Sequence, residues 1–518
     1  MRVLDSTLRD GAQGEGISFS VNDKLDIISA LDNLGVSYIE AGIPVASPKD
    51  REFFEAAKKL KLKHAKLVAF GSTCKKGLSP SEDEAFKELV YADTPVVSIF
   101  GKSDAKQVKE ILKASQSENL RMIEHSCRYL KDRNKEVIFD AEHFFDGYKM
   151  NPDYALKTLS AAVKGGADVL CLCDTKGGTF PDEIFEITKN VCDKFKDTVI
   201  GIHTHDDSGM ATANSVMSVK AGAKHLQGTY LGMGERTGNA NLSAIIPNLQ
   251  IKMGYDCIPD ENLKLLTPTA VKIAEIANIT LHKNMPFVGR SAFAHKAGMH
   301  ADAVIKQQSS FEQIDPESVG NHRRFLMSEM TGKSAVLRLV QHIFPEVERS
   351  SPQIEKIVKE LKEKESNGYQ FEGAQTSLEL IIRKAINPYK PFFNLISYKV
   401  LDELPYDNGH SATATIKLRV NDKIKIAASD GDGPVDAMDK ALREAVTDFY
   451  PCIKKVRLMD YKVRVTEPKN ATAAQVRVLI TSTDGNEIWT TVGVSNDIIE
   501  ASFAALVDSI EYKLLKEM

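Results

Sequence analysis

Two histidines one residue apart, His203 and His205, close an apolar run in the segment Gly201-Ile202-His203-Thr204-His205-Asp206-Asp207. Side chains at i and i+2 of a strand leave the same face, so both imidazoles project one way from the strand's end. Imidazole is a common metal ligand and also a common polar residue where a strand meets water. The pair alone does not decide between these two, and the answer depends on which other groups the fold brings beside it.

Short β-branched runs alternate with longer amphipathic segments from residue 3 onward. The pattern predicts strands at 3–5, 38–41, 67–71, 96–100, 136–140, 168–173, 198–203 and 225–230. Helical periodicity falls between them at 23–34, 48–59, 105–113, 151–163, 181–195, 211–221 and 241–251. Strand then helix, repeated over about 250 residues, points to an α/β fold of the (β/α)8 TIM-barrel type rather than an open parallel sheet. After residue 280 the rhythm changes to a helical connecting region, and from residue 369 an α+β pattern of three strands and one helix occurs twice. The expected domains are therefore a catalytic barrel at 1–280, helical linker subdomains at 281–368, and a regulatory, dimerising domain at 369–518.

Barrels of this type place their chemistry just past the carboxyl ends of the strands. The polar residues there include Arg9, Asp10 and Gln13 after the first strand, Glu142 and His143 after the fifth, and Asp174 and Thr175 after the sixth. The histidine pair follows the seventh strand, and Glu235, Arg236 and Asn239 follow the eighth. Each has an ordinary explanation as a cap or a loop ion pair, but their joint placement at five strand ends does not. Asp10, His203, His205 and Asn239 make a mixed nitrogen and oxygen donor set suited to Zn, Mn, Co, Fe or Mg. An ion with open positions can polarise a carbonyl, and Arg9 beside it would stabilise a developing alkoxide. Two histidines and a carboxylate also describe a non-haem iron oxygenase, a chemistry that normally sits in a different, β-rich barrel. Proton abstraction from a weak carbon acid needs a base poised near neutral pH; His300 is the first candidate and Glu142 the second.

The composition excludes some partners. A formal net charge of −4 with 27% charged residues offers no basic field for nucleic acid. Seven cysteines, an odd number without disulfide-like spacing, fit a reducing cytoplasm, and no apolar run is long enough to cross a membrane. Cys171 and Cys173 sit in an apolar run and read as packing residues. Gly431, Gly433 and Pro434 form a tight turn into a helix, followed by Asp436 in its first turn; such an N-terminus suits either a plain turn or an anion such as a carboxylate.

At these residues a family resemblance becomes specific. DSTLRDGAQ, GIHTHDD, GERTGNANL and AHKAGMHAD, in this order, resemble the acyltransferase barrels that join acetyl-CoA to a 2-oxo acid, the 2-isopropylmalate, homocitrate and citramalate synthases. SDGDGPVDAMDKAL is similar to their C-terminal regulatory domain, where the end-product amino acid binds. GISFSVNDKL, VIFDAEHFFDGYK and WTTVGVSNDIIEASFAALVDSIEYKLL resemble the citramalate branch, which makes the (R) product from pyruvate.

The resemblance implies a divalent metal (Mn, Mg, Zn or Co) on Asp10, His203, His205 and Asn239. It implies 2-oxo-acid contacts from Arg9, Gln13, Glu142 and Thr175, and proton abstraction from the acetyl methyl by His300. It further implies isoleucine as a feedback inhibitor at Gly431, Gly433, Pro434 and Asp436, and a homodimer. One segment departs from the branch: AGIPVASP after the second strand is more similar to the isopropylmalate synthases. Isopropylmalate or homocitrate synthesis, the same chemistry on a longer acid, is thus the alternative reading, and a non-catalytic barrel that binds a metal or an amino acid is the alternative of a different class.

Overall fold

The structure, a computed structural model, describes residues 1–295, 303–304, 306–325, 333–348, 351–386, 390–402, 411–466 and 474–517. Two compact units emerge, Met1–Phe293 with Glu312–Arg323, and Ala294–Phe311 with Arg324–Met518.

The first unit is a closed barrel of eight strands. In order these are β1 (Arg2–Asp5), β2 (Tyr38–Gly42), β3 (Lys66–Ser72), β4 (Val96–Lys102), β5 (Glu136–Glu142), β6 (Val169–Asp174), β7 (Val199–Thr204) and β8 (His225–Gly228). Every pairing is parallel, and β8 closes on β1 with Leu4 beside Gln227. Inward side chains stack in layers, as the two-residue period requires. An apolar layer of Leu4, Val68, Val96, Ile138, Val169 and Cys171 plugs the interior. Nearer the C-terminal ends of β2, β4, β5, β6 and β8 lie Glu40, Ser98, Asp140, Cys173 and Gln227, all buried. Polar groups thus enter the barrel below its C-terminal rim.

Two strands run two residues further than the pattern suggested. β5 extends through Glu142 and β4 through Lys102 because their backbones remain paired, Lys102 opposite Glu142. Glu142 therefore projects from the last turn of a ladder and not from a loop. The helix expected at 241–251 is interrupted: an α-helical turn, Leu242–Pro247, gives way to a π-helical turn, Asn248–Lys252, around the internal proline. Helices Glu84–Tyr91, Gln116–Lys131 and Phe144–Met150 were not anticipated.

In the second unit, β9 (Ala294–His295) pairs in parallel with β10 (Arg324–Phe325). Helices Lys333–Ile343, Pro352–Ser366 and Gln375–Ile386 share a core that includes Val340, Ile357 and Ile382. A sheet of β11 (Asn394–Asp402), β12 (Ala412–Val420) and β13 (Lys423–Gly431) is followed by helix Pro434–Thr447. A second sheet of β14 (Arg457–Val465), β15 (Val476–Thr483) and β16 (Ile488–Ser495) is followed by helix Ile498–Glu517. The duplication extends to irregularities: the first strand of each sheet carries a register shift one residue after its start, at Leu395/Ser397 and at Leu458/Asp460.

Candidate active site and metal centre

Asp10 lies in the turn after β1, where Ser6 gathers the chain: the N–H groups of Arg9, Asp10 and Gly11 all donate to the Ser6 carbonyl. This tight turn aims Asp10 across the barrel mouth. His203 Nε2 stands 3.5 Å from Asp10 Oδ2 and 3.3 Å from His205 Nε2. Two ligands each about 2.1 Å from an ion, in tetrahedral or octahedral geometry, are about 3.0 to 3.4 Å apart. The three ligand atoms all lie within 4.8 Å of one another, and all three residues are buried. A carboxylate and two imidazole nitrogens thus face one another at ligand spacing, and this donor set fits a divalent cation of the Mg, Mn, Co or Zn type.

Asn239 completes the cluster. Its Nδ2 donates to Asp10 Oδ1 and to the Met233 carbonyl, both at 3.1 Å, while its Oδ1 is buried without a partner. Two glycines make this placement possible. A Cβ on Gly234 would come 2.2 Å from Asn239 Nδ2, and one on Gly238 would come 2.0 Å from the Gly232 carbonyl oxygen; both residues have positive φ.

The electrostatics favour a charged carboxylate beside neutral imidazoles. Burial pushes the Asp10 carboxyl up, but Arg9 and the two histidines outweigh it and hold it well below the usual carboxylate range. Burial pushes His203 down to about 3 and lowers His205 as well, so both rings are neutral and able to ligate at physiological pH.

Arg9 is clamped. Its Nε donates to Glu40 Oε2 at 2.6 Å, its Nη1 donates to Asp10 Oδ2 at 2.9 Å, and its guanidinium lies 3.8 Å from the Phe70 ring centroid. Glu40 is fully buried and also accepts from Ser6 Oγ at 2.6 Å. Arg9 thus sits at the rim in one orientation, with its charge fixed before any substrate arrives.

Glu142 and Thr175 share the opposite wall. Glu142 Oε2 pairs with Lys102 Nζ at 2.5 Å, and the His143 N–H donates to Thr175 Oγ1 at 2.8 Å. His143 has a left-handed φ of 58°, and this sharp turn between β5 and helix Phe144–Met150 directs its N–H at Thr175. Gln13 is exposed and lines a groove with Arg9, Ile43, Ser47 and Lys49. His300 lies outside the described residues.

In the second unit, Gly431 ends β13 where a Cβ would come 2.3 Å from the Ala437 backbone nitrogen, and Pro434 opens the helix after Gly433. Asp436 Oδ2 accepts from the Asp432 N–H at 3.0 Å and from Lys440 Nζ at 2.7 Å.

Four polar residues escaped the sequence reading: Glu40, Lys102, Asp140 and Gln227. A signal for three of them was present, since a charged or amide side chain inside a β-branched run, as in YIEAG, VIFDAE and HLQG, has no apolar reason to be there. Asp140 accepts from Ser98 Oγ at 2.9 Å and from Gln227 Nε2 at 2.8 Å, and burial together with the charge of Glu40 raises it to about 7. Cys171 and Cys173 lie close enough to Asp140 to form a second candidate cluster. Both carboxylate oxygens of Asp140 are already taken, and burial pushes the Cys171 thiol well up, so this group is packed and not poised to ligate.

The closed parallel barrel that carries two histidines and an aspartate on its C-terminal rim matches the "HMGL-like" family model over residues 1–280. The "Homocitrate synthase post-HMGL domain-like" model matches residues 287–368, and the "LeuA allosteric (dimerisation) domain" model matches residues 372–514. The (R)-citramalate synthase of Aquifex aeolicus is 52% identical over 99% of this chain and 98% of its own. That of Geobacter sulfurreducens is 46% identical over 100% and 98%. A probable 2-isopropylmalate synthase of Methanopyrus kandleri is 32% identical over 98% and 97%. The chain belongs to the (R)-citramalate synthase family, acyltransferases that condense acetyl-CoA with a 2-oxo acid.

Proposed function

We propose that this chain condenses acetyl-CoA with pyruvate and hydrolyses the resulting thioester, yielding (R)-citramalate and CoA. The observation that carries this reading is the convergence of Asp10, His203 and His205 beside a clamped Arg9 at the barrel rim. A divalent ion held by Asp10, His203, His205 and Asn239 would supply Lewis acidity toward the keto group of the acid. Arg9 offers a fixed positive charge to the keto oxygen as it gains negative charge during carbon–carbon bond formation, and pays no reorganisation cost at that moment. Glu142, held by Lys102, and Thr175 contact the 2-oxo acid from the facing wall, and Gln13 contacts it from the groove beside Arg9. His300 takes the proton from the acetyl methyl, imidazole being the side chain nearest to neutral pH without tuning.

Full-length identities favour pyruvate over a branched acid, since five (R)-citramalate synthases reach 41% to 52%, while a probable 2-isopropylmalate synthase of Methanopyrus kandleri stands at 32% and a putative (R)-citramalate synthase of Archaeoglobus fulgidus at 30%. The test is CoA release from acetyl-CoA with pyruvate, 2-oxoisovalerate or 2-oxoglutarate. Pyruvate is expected to give the highest kcat/KM; preference for the branched acid would move the assignment to isopropylmalate synthesis. One methylene is worth about 1 to 3 kcal/mol in such a pocket, so the preference should be clear but not absolute.

The same reading includes isoleucine as feedback inhibitor around Gly431, Gly433, Pro434 and Asp436, a homodimer, and residence in the cytoplasm. The match to an allosteric, dimerising domain supports the first two, together with exposed apolar side chains on the sheets such as Leu401, Ile424 and Ile426. Seven unpaired cysteines support the third, and among the described residues no helix is long and apolar enough to cross a membrane. Inhibition by leucine without an isoleucine effect would overturn the regulatory assignment, and a monomer by sedimentation would overturn the dimer.

A further inference from the structure

The polar layer beneath the rim is directional. Gln227 is fully buried on β8 and its Nε2 donates to Asp140 Oδ1 at 2.8 Å, while Ser98 Oγ donates to Asp140 Oδ2 at 2.9 Å. An amide whose nitrogen is committed to a carboxylate must turn its oxygen the other way. Ile202 of β7 pairs with Leu226 of β8, so the next residues, His203 and Gln227, are neighbours across the two strands, and Gln227 Oε1 and His203 Nδ1 are both enclosed without a hydrogen-bond partner. The other ring nitrogen of His203, Nε2, is the one that faces Asp10 and His205.

We propose that Gln227, anchored by Asp140, is a positioning residue that selects the Nδ1–H tautomer of His203 and so presents the bare Nε2 lone pair to the ion. The inference rests on the reading of the rim as a metal centre. The polarity runs in one sense along the chain. His203 Nδ1–H would donate to the free Gln227 Oε1, while Gln227 Nε2–H donates to Asp140 and Ser98 secures the far oxygen of the carboxylate. Oδ1 of Asp140 accepts from the amide whether or not the other oxygen carries a proton, so the sense of the chain does not depend on that proton. Metal-bound histidines commonly have such a partner on the second nitrogen, usually a carboxylate, a carbonyl or water. Here an amide passes the influence of a buried carboxylate one step further, which keeps a second negative charge away from the ion.

The test is titration of metal-free protein with Co2+ alone, in competition with a chromophoric chelator, together with the visible spectrum of the bound ion. Q227L, which lacks an acceptor for Nδ1–H, should bind about 10- to 100-fold more weakly with an altered band. Q227E restores the acceptor and should bind within about threefold of the unaltered protein with its band intact. Affinity for Q227L within twofold of the unaltered protein would overturn the proposal, as would Q227E binding as weakly as Q227L. If Q227L does not fold, D140N decides. An asparagine at this position lets the amide turn over, so about three- to tenfold weaker binding is expected, and unchanged affinity overturns the proposal. H203A is the control for the reading beneath it. If H203A binds as tightly as the unaltered protein, the metal centre itself is refuted; if H203A loses the ion and Q227L does not, only the present inference fails.

Discussion

At the N-terminal mouth of the barrel Glu136 accepts from Tyr38 Oη and Lys66 Nζ, each at 2.7 Å, with Arg2 at 3.7 Å; at the C-terminal mouth Asp10, His203 and His205 turn acceptors on one another. Both ends carry a carboxylate and a buried histidine. At the first, donors surround the acid and account for it. His225 there lacks a hydrogen-bond partner on either ring nitrogen, yet it stands alone against the Tyr38 ring at 5.6 Å. A single orphaned imidazole is a tolerated cost, whereas three acceptors converging at ligand spacing call for a cation. Convergence, not polarity, separates the working end from the structural one.

The largest effect should come from removing one member of the converging set. H203A is expected to weaken metal retention by more than about 100-fold and to reduce activity to background, while H225M leaves both unchanged. Metal content after dialysis and CoA release at saturating metal measure this. Equal loss of activity in the two variants would remove the distinction between the ends.

Next in size is R9Q. It takes the positive partner from Glu40, which is fully buried, and breaking such a pair costs about 3 to 5 kcal/mol of stability. It should also lower kcat by about 100- to 1000-fold through loss of charge at the developing oxyanion. Denaturant unfolding and steady-state kinetics separate the two effects. A variant that loses stability but keeps kcat would leave Arg9 as a structural clamp alone.

The two ends differed in legibility as well. The rim could be read because its residues follow strand ends as short motifs, and placing the strands places the motifs. Asp10, His203, His205 and Asn239 came together across β1, β7 and β8 as the barrel geometry requires. The layer below was harder to read. Glu40, Asp140 and Gln227 are inward residues of strands whose other positions are apolar, and their partners are set by the shear of the barrel, which no local pattern reveals. Lys102 falls two residues beyond the strand predicted at 96–100, and only its pairing with Glu142 brings it into the ladder. In the second unit the repeated pattern was visible, but the matched bulges at Leu395 and Leu458 arise from strand pairing alone.

His225 gives a smaller effect that depends on pH. Burial, with Arg2 nearby, lowers it from 6.5 to about 3. Between those values the unfolded chain holds a proton that the folded barrel excludes, so this residue makes stability fall as pH falls through that window, by up to about 1.4 kcal/mol per pH unit. H225M should flatten the acid side of the stability curve while leaving kcat at neutral pH unchanged. Parallel curves for the two proteins between pH 6.5 and 4 would show that the ring is charged in the folded state and is not a neutral orphan.

The smallest effect belongs to Glu136. Its partners Arg2 and Lys66 are largely solvated, with about half of each side chain exposed, so the ion pairs should contribute no more than about 1 kcal/mol. E136Q keeps an acceptor for the Tyr38 hydroxyl and removes only the charge. Burial raises the Glu136 carboxyl, but bonds from Lys66 and Tyr38 outweigh it and hold it below 4.5. A carboxylate lowered in this way stabilises the fold above its unfolded value, and that stability disappears as pH falls through the folded value. The unaltered protein and E136Q should therefore differ by up to about 1 kcal/mol at pH 7 and converge as pH falls through the lowered carboxyl's own range, with kcat and metal affinity the same throughout. A change in kcat or in metal affinity in E136Q would mean that the two ends of the barrel communicate, and the division between a structural mouth and a chemical one would have to be given up.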